Sequence, residues 1–295
     1  MHTFSTGTVR ANGLRFHFLE LGRGPLALCL HGFPDSPWAF RYLLPLVADA
    51  GYRAVAPFIR GYAPTQIPSS WRFTTEDLVA DVNALHAALG GGDDAVLIGH
   101  DWSAVAAYGA LAAAPQRWRR AVIAGIPPLA VYGQVAFTYA QIKRSFYFWF
   151  FQMAAAESVV AAGDLAFLDG LWTDWSPGYD GADDVRRAKE CLRHPDNLKA
   201  ALGYYRALFD PASFGSPAAM AAQAAVWGRP LHQPVLYLHG ANDGCIALDK
   251  ELIRKVTPYL GHGSETAWID GAGHFIFVER PDEVGGRVAQ FLGAA

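Results

Sequence analysis

Long apolar runs, paired cysteines and blocks of like charge are all missing from this chain of 295 residues. The most hydrophobic stretch, residues 146–151 with their neighbours, falls far short of the ~20 apolar residues that span a bilayer. It is also flanked by Lys143, Arg144 and Glu157, so no membrane helix is expected. Three cysteines, Cys29, Cys191 and Cys245, are odd in number and far apart, without the pairing of a zinc motif or a disulfide framework, and they fit a reducing cytoplasm. The 24 basic and 27 acidic side chains nearly cancel, to a formal charge of -3. That balance offers no electrostatic footprint for nucleic acid or an anionic membrane, and a neutral small molecule is the expected partner. The opening MHTFSTGTVRANGLRFHF lacks a basic region followed by an apolar one, so no secretory signal is expected.

What is present is core material. With 52% hydrophobic and 17% charged residues, the chain can bury one large domain, or a domain with an insertion. TVRANGLRFHFLE alternates apolar residues about Asn12-Gly13, the signature of a hairpin. Short apolar runs then recur at PLALCLHG, YRAVAPFI, AVLIGHDW and RRAVIAGIPP, separated by segments of helical period such as TTEDLVADVNALHAAL. Strand and helix in alternation predict a mostly parallel sheet flanked by helices. Across residues 128–228 the strand runs stop and aromatic, alanine-rich segments of helical spacing take over, FTYAQIKRSFYFWFFQMAAAESVVAAG among them. Strand character returns at PVLYLHG and TAWIDGAGH, and a last helix is expected from Pro281. These shifts predict a core domain of residues 1–127 and 229–295 interrupted by a helical cap at 128–228.

In an open α/β sheet, chemistry gathers at the carboxyl ends of strands. Behind AVLI stands Gly99-His100-Asp101-Trp102-Ser103, the form of a nucleophile elbow, with a carboxylate where a serine is common and Ser103 where a glycine usually stands. A carboxylate needs no deprotonation to attack an electrophilic carbon and form an ester. The plainer role for Asp101 is an N-cap of the following helix. Asp243 follows PVLYLHG and His274 follows TAWID. Each alone fits a turn or loop residue, but the order nucleophile, acid, histidine is that of α/β-hydrolases. A fourth end, His31-Gly32-Phe33-Pro34, can offer the Phe33 backbone N–H to developing negative charge beside that of Trp102, with His31 read as a satisfied buried imidazole.

Together these segments resemble the epoxide hydrolases of the α/β-hydrolase fold, with haloalkane dehalogenases as close relatives, over nearly the whole chain. HGFPDSPWAFR is similar to that family's HGxP segment, GHDWSA to its elbow and GAGHFIFVERPDEV to its histidine loop. RGYAPT resembles the RGYGxS stretch, but the usual preceding Asp is replaced by Phe58 and Ile59. The resemblance implies Asp101 as nucleophile, His274 as base and Asp243 as its orienting acid. It also implies two cap tyrosines as proton donors, Tyr147 in SFYFWFFQ and Tyr205 in GYYRALF, with Tyr132, Tyr139 and Tyr204 as rivals. Phe148 and Trp149 are the expected apolar walls for an epoxide, and the chemistry needs water but no cofactor or metal. Phe33 stands where dehalogenases often carry Asn. The alternatives are a dehalogenase using the same nucleophile and a non-catalytic ligand-binding protein on the same fold.

Overall fold

A computed structural model describes residues 3–293. Residues 1–2, which also open the stretch read for a signal, and residues 294–295 of the expected core lie outside the described residues.

One eight-stranded sheet runs in the order β1-β2-β4-β3-β5-β6-β7-β8. The strands are β1 (Ser5–Ala11), β2 (Leu14–Leu21), β3 (Leu26–Leu30), β4 (Arg53–Pro57), β5 (Val96–His100), β6 (Arg120–Ala124), β7 (Val235–Gly240) and β8 (Glu265–Ile269). β1, β2 and β4 pair antiparallel, and every pairing from β4 onward is parallel. The hairpin forms where Asn12 and Gly13 both take positive φ, 45° and 76°, the geometry that two-residue turns require. Strands β3, β5 and β7 are buried at every residue, because helices cover both faces, and this explains their continuous apolar sequences.

Helices α1 (Leu43–Asp49), α2 (Thr75–Ala88) and α3 (Trp102–Ala113) connect β3, β4, β5 and β6 in turn. α2 begins at a capping box in which Thr74 and Asp77 satisfy each other's backbone N–H groups, relieving two of the unpaired donors of a helix start. Val82, Leu85, Val105 and Leu111 from α2 and α3 pack on one face of the sheet. Leu44 and Val47 of α1 pack on the other, with Val288 and Phe291 of the last helix. The RGYAPT stretch is pinned to α2 by a buried, two-pronged pair between Arg60 and Asp81. Removing one partner of such a pair typically costs about 3–5 kcal/mol.

Among the described residues, no strand occurs between β6 and β7. The chain runs there through α4 (Leu129–Val135), α5 (Tyr139–Arg144), α6 (Phe146–Phe150), α7 (Ala156–Trp175), α8 (Ala182–Leu192), α9 (Pro195–Leu208) and α10 (Pro217–Trp227). After β7 come α11 (Lys250–Arg254), α12 (Ile276–Glu279) and α13 (Pro281–Gly293), the last starting at the expected proline. The long aromatic run is less continuous than its helical spacing predicts. It breaks at Ser145, whose hydroxyl accepts from the buried Gln141 amide, and again between α6 and α7; bulky rings lose rotamer freedom in a helix and favour it weakly. No helix is long and apolar enough to cross a membrane among the described residues.

Candidate active site

Four loops at the carboxyl ends of β3, β5, β7 and β8 converge on one point. Asp101 sits between β5 and α3 with φ 52° and ψ -121°, a backbone conformation that costs a non-glycine residue about 1–3 kcal/mol. Its side chain does not cap α3. Instead Oδ1 accepts the Phe33 N–H at 2.7 Å, and Oδ2 faces His274 Nε2 at 3.6 Å. The turn closes tightly: a Cβ on Gly99 would stand 2.5 Å from the Ser103 carbonyl, and one on Gly32 would stand 2.3 Å from Asp101 Oδ1. Ser103 fits the elbow by donating its hydroxyl to the His31 carbonyl.

His274 Nδ1 and Asp243 Oδ2 are 2.9 Å apart, and the other oxygen of Asp243 accepts the Cys245 and Ile246 N–H groups at 2.7 and 2.9 Å. Burial opposes charge on the His274 imidazole, but the carboxylates of Asp243 and Asp101 outweigh it and lift its pKa to about 10. Burial likewise disfavours the charged Asp243, yet His274 beside it holds its carboxyl below the usual range. The Asp243 bond fixes the Nδ1 proton, leaving Nε2 directed at Asp101. Neutral His31 and His100 pack nearby, burial pushing them down to about 3 and about 4. His31 accepts the Ile59 N–H and donates to the Gly32 carbonyl, so the loop at Phe58 and Ile59 is held without the usual Asp.

The helices between β6 and β7 hold these loops as well as covering them. The His274 N–H donates to the Trp175 carbonyl and Ser176 Oγ, each at 3.0 Å. Gln141, wholly buried, donates to the Cys245 carbonyl at 2.9 Å and accepts the Ala247 N–H at 2.7 Å, while Arg144 donates to the Asp243 carbonyl.

Asp101 opens onto a narrow pocket of about 40 Å³ whose walls include Trp102, Tyr132, Tyr147, Phe148, Tyr205, Phe209, Trp227 and Cys245. Burial lifts the hydroxyls of Tyr147 and Tyr205 well above the ordinary phenol range, so both keep their protons. The Tyr147 hydroxyl lies 3.4 Å from Cys245 Sγ. Of the expected apolar walls, Phe148 lines the pocket and Trp149 does not. Successive residues on a helix diverge by about 100°, and Trp149 turns outward, 38% exposed, against Phe209 and Phe214. Among the rival tyrosines, Tyr204 donates to the Arg60 carbonyl, Tyr139 is 85% exposed, and Tyr132 alone reaches the pocket. The sequence assigns no place in the pocket to Cys245 or to Gln141; the position of Cys245 two residues after Asp243 is the one available signal. The arrangement sets a carboxylate facing an imidazole, a backbone donor on its rear oxygen and two phenolic donors across a small apolar space.

The chain belongs to the α/β-hydrolase-fold family, whose sequence pattern matches residues 25–281. It is 29% identical to epoxide hydrolase 2 of Siraitia grosvenorii over 97% of either chain. An epoxide hydrolase from an endophytic Streptomyces is similar in structure, with a TM-score of 0.80, 27% identity and coverage of 98% of this chain and 95% of that one. The Bacillus megaterium epoxide hydrolase solved with an inhibitor shares the fold at a TM-score of 0.84 and 24% identity, over 98% of this chain and 100% of that one.

Proposed function

We propose that this protein is an epoxide hydrolase that converts an apolar epoxide to a vicinal diol through a covalent ester on Asp101. One observation carries this above all: a carboxylate occupies the strained elbow, bonded to the Phe33 N–H and facing His274, before a pocket with two protonated tyrosines. The relatives named epoxide hydrolase, similar along nearly the full chain, support it.

Oδ2 of Asp101 attacks an epoxide carbon while Tyr147 and Tyr205 hydrogen-bond the ring oxygen, and one of them supplies the proton that makes it a hydroxyl. Oδ1, retained by Phe33, becomes the ester carbonyl. Esterification removes the Asp101 charge, one of the two carboxylates that hold the His274 proton, so the imidazolium gives that proton up to replace the one the tyrosine lost, and the neutral imidazole becomes a base poised against water. Asp243 keeps it oriented. Water adds to the ester carbonyl, the oxyanion is held by the Phe33 and Trp102 N–H groups, and collapse releases the diol.

Residues 128–228 serve in this account as a cap over a core of residues 1–127 and 229–295. The cap contributes both tyrosines and, through Gln141, Arg144 and Ser176, fixes the acid and histidine loops. The three cysteines, all free, support a cytoplasmic location. A panel of epoxides and haloalkanes tests the assignment by reading diol and halide separately. Diol from the wild type and none from Asp101→Ala is the expected result; halide without diol points to a dehalogenase, and binding without either product to a ligand-binding protein.

A further inference from the structure

Cys245 takes no step in that reaction, yet its thiol sits in the pocket wall beside the nucleophile and the base. A carboxylate oxygen of Asp101, a ring nitrogen of His274 and Cys245 Sγ all lie within 4.8 Å of one another, and all three residues are buried. Oxygen, imidazole nitrogen and sulfur are zinc donors, at about 2.0–2.2, 2.0–2.1 and 2.3 Å from the ion. Around a tetrahedral ion those lengths separate the donors by roughly 3.3–3.8 Å. Asp101 Oδ2 and His274 Nε2 already stand 3.6 Å apart. Closing the widest pair needs a shift of roughly 1 Å, within the reach of a Cys245 rotation.

Each donor also has the outer partner that metal ligands commonly carry. Asp243 orients His274 through Nδ1, leaving Nε2 buried and without a hydrogen-bond partner. The Phe33 N–H holds the far oxygen of Asp101, and the Tyr147 hydroxyl lies where it can donate to Sγ.

We propose that Asp101, His274 and Cys245 form a binding site for Zn²⁺, or a similarly thiophilic divalent cation, that reversibly shuts the pocket. Binding releases the thiol proton of Cys245 and the Nε2 proton of His274 to solvent, and the fourth coordination position opens to water in the pocket. An ion held there occupies the attacking oxygen of Asp101 and the lone pair of His274 together. Binding stands on the geometry; only its inhibitory consequence rests on the epoxide hydrolase assignment.

The test is a titration of the intact protein with Zn²⁺ against a chromophoric chelator, paired with the absorption spectrum of the Co²⁺-loaded protein. One equivalent should bind, and cobalt should give a thiolate charge-transfer band. Cys245→Ala and Cys245→Ser should lose that band and weaken zinc by at least ~10-fold, since even outer-shell partners carry that much. Asp101→Asn should keep the thiol but weaken zinc similarly, which covers a cysteine variant that fails to fold. Unchanged zinc affinity in Cys245→Ala and Asp101→Asn, or a cobalt spectrum without the thiolate band, overturns the site. Zinc bound with the thiolate band by a protein inert to every epoxide would sink the hydrolase assignment alone, and efficient diol formation with no saturable zinc binding would sink this site alone.

Discussion

The backbone N–H of Phe33 holds Asp101 Oδ1 at 2.7 Å, so the two oxygens of this carboxylate are distinguished before any substrate arrives. One is tied to the turn after β3, and the other is left facing His274 and the pocket. This depends on the absence of a side chain at position 32, where a Cβ would meet Asp101 Oδ1 at 2.3 Å. Gly32→Ala should therefore displace the carboxylate and lower kcat/KM by about 100-fold or more, the scale of a 1 Å misplacement. Circular dichroism should show the fold retained; near-normal turnover would mean that the Phe33 contact does not organise the nucleophile.

His274→Gln should form the ester and fail to hydrolyse it. Attack by a carboxylate needs no base, whereas activation of water does. Intact-protein mass spectrometry after substrate addition should find the variant carrying one substrate mass, located on the peptide with Asp101. Normal turnover by this variant would contradict the role given to His274.

Tyr147 and Tyr205 should separate epoxide from halide chemistry, because only a ring oxygen that stays attached needs a proton donor. Either change to Phe should slow alkylation by ~10-fold or more, about 1.4 kcal/mol, and the double variant should be nearly dead. Rapid-quench measurement of ester formation reads this step directly. Full rates in both single variants would shift the donor role elsewhere, with Tyr132 the remaining pocket tyrosine.

The strand ends were legible because parallel strands buried on both faces leave unmistakable apolar runs, and each is followed at once by its loop. Asn12-Gly13, the elbow at Asp101 and the start of α13 at Pro281 follow from local chemistry alone. The interior of the helical segment was less so. Aromatic residues at helical spacing say which stretch is buried but not which ring faces which neighbour, so Phe148 and Trp149 look equivalent in sequence, yet only Phe148 turns into the pocket. Cys245 read as a solitary thiol because its neighbours in space, Asp101 and His274, are far off in the chain. Gln141 joins α5 to the acid loop through contacts between residues more than a hundred positions apart, which no local pattern announces.

His274 should also leave a mark on stability. Its pKa rises from the ordinary 6.5 to about 10 in the folded protein, so the imidazolium stabilises the fold fully below pH 6.5. That contribution is lost as pH climbs through about 10. Urea unfolding across this window should show wild-type stability falling more steeply than that of His274→Gln. Parallel curves would mean that the two carboxylates do not hold the proton.

Whether Asp101 itself bonds to substrate carbon is read from the origin of the new oxygen in the diol. In a single turnover with enzyme in excess in heavy-oxygen water, the diol should emerge largely unlabelled, its oxygen drawn from the carboxylate. The peptide containing Asp101 should gain the label, and later turnovers should pass labelled oxygen to product. A diol labelled in the first turnover beside an unlabelled Asp101 peptide would mean that water attacks the epoxide directly, and the covalent route would be wrong.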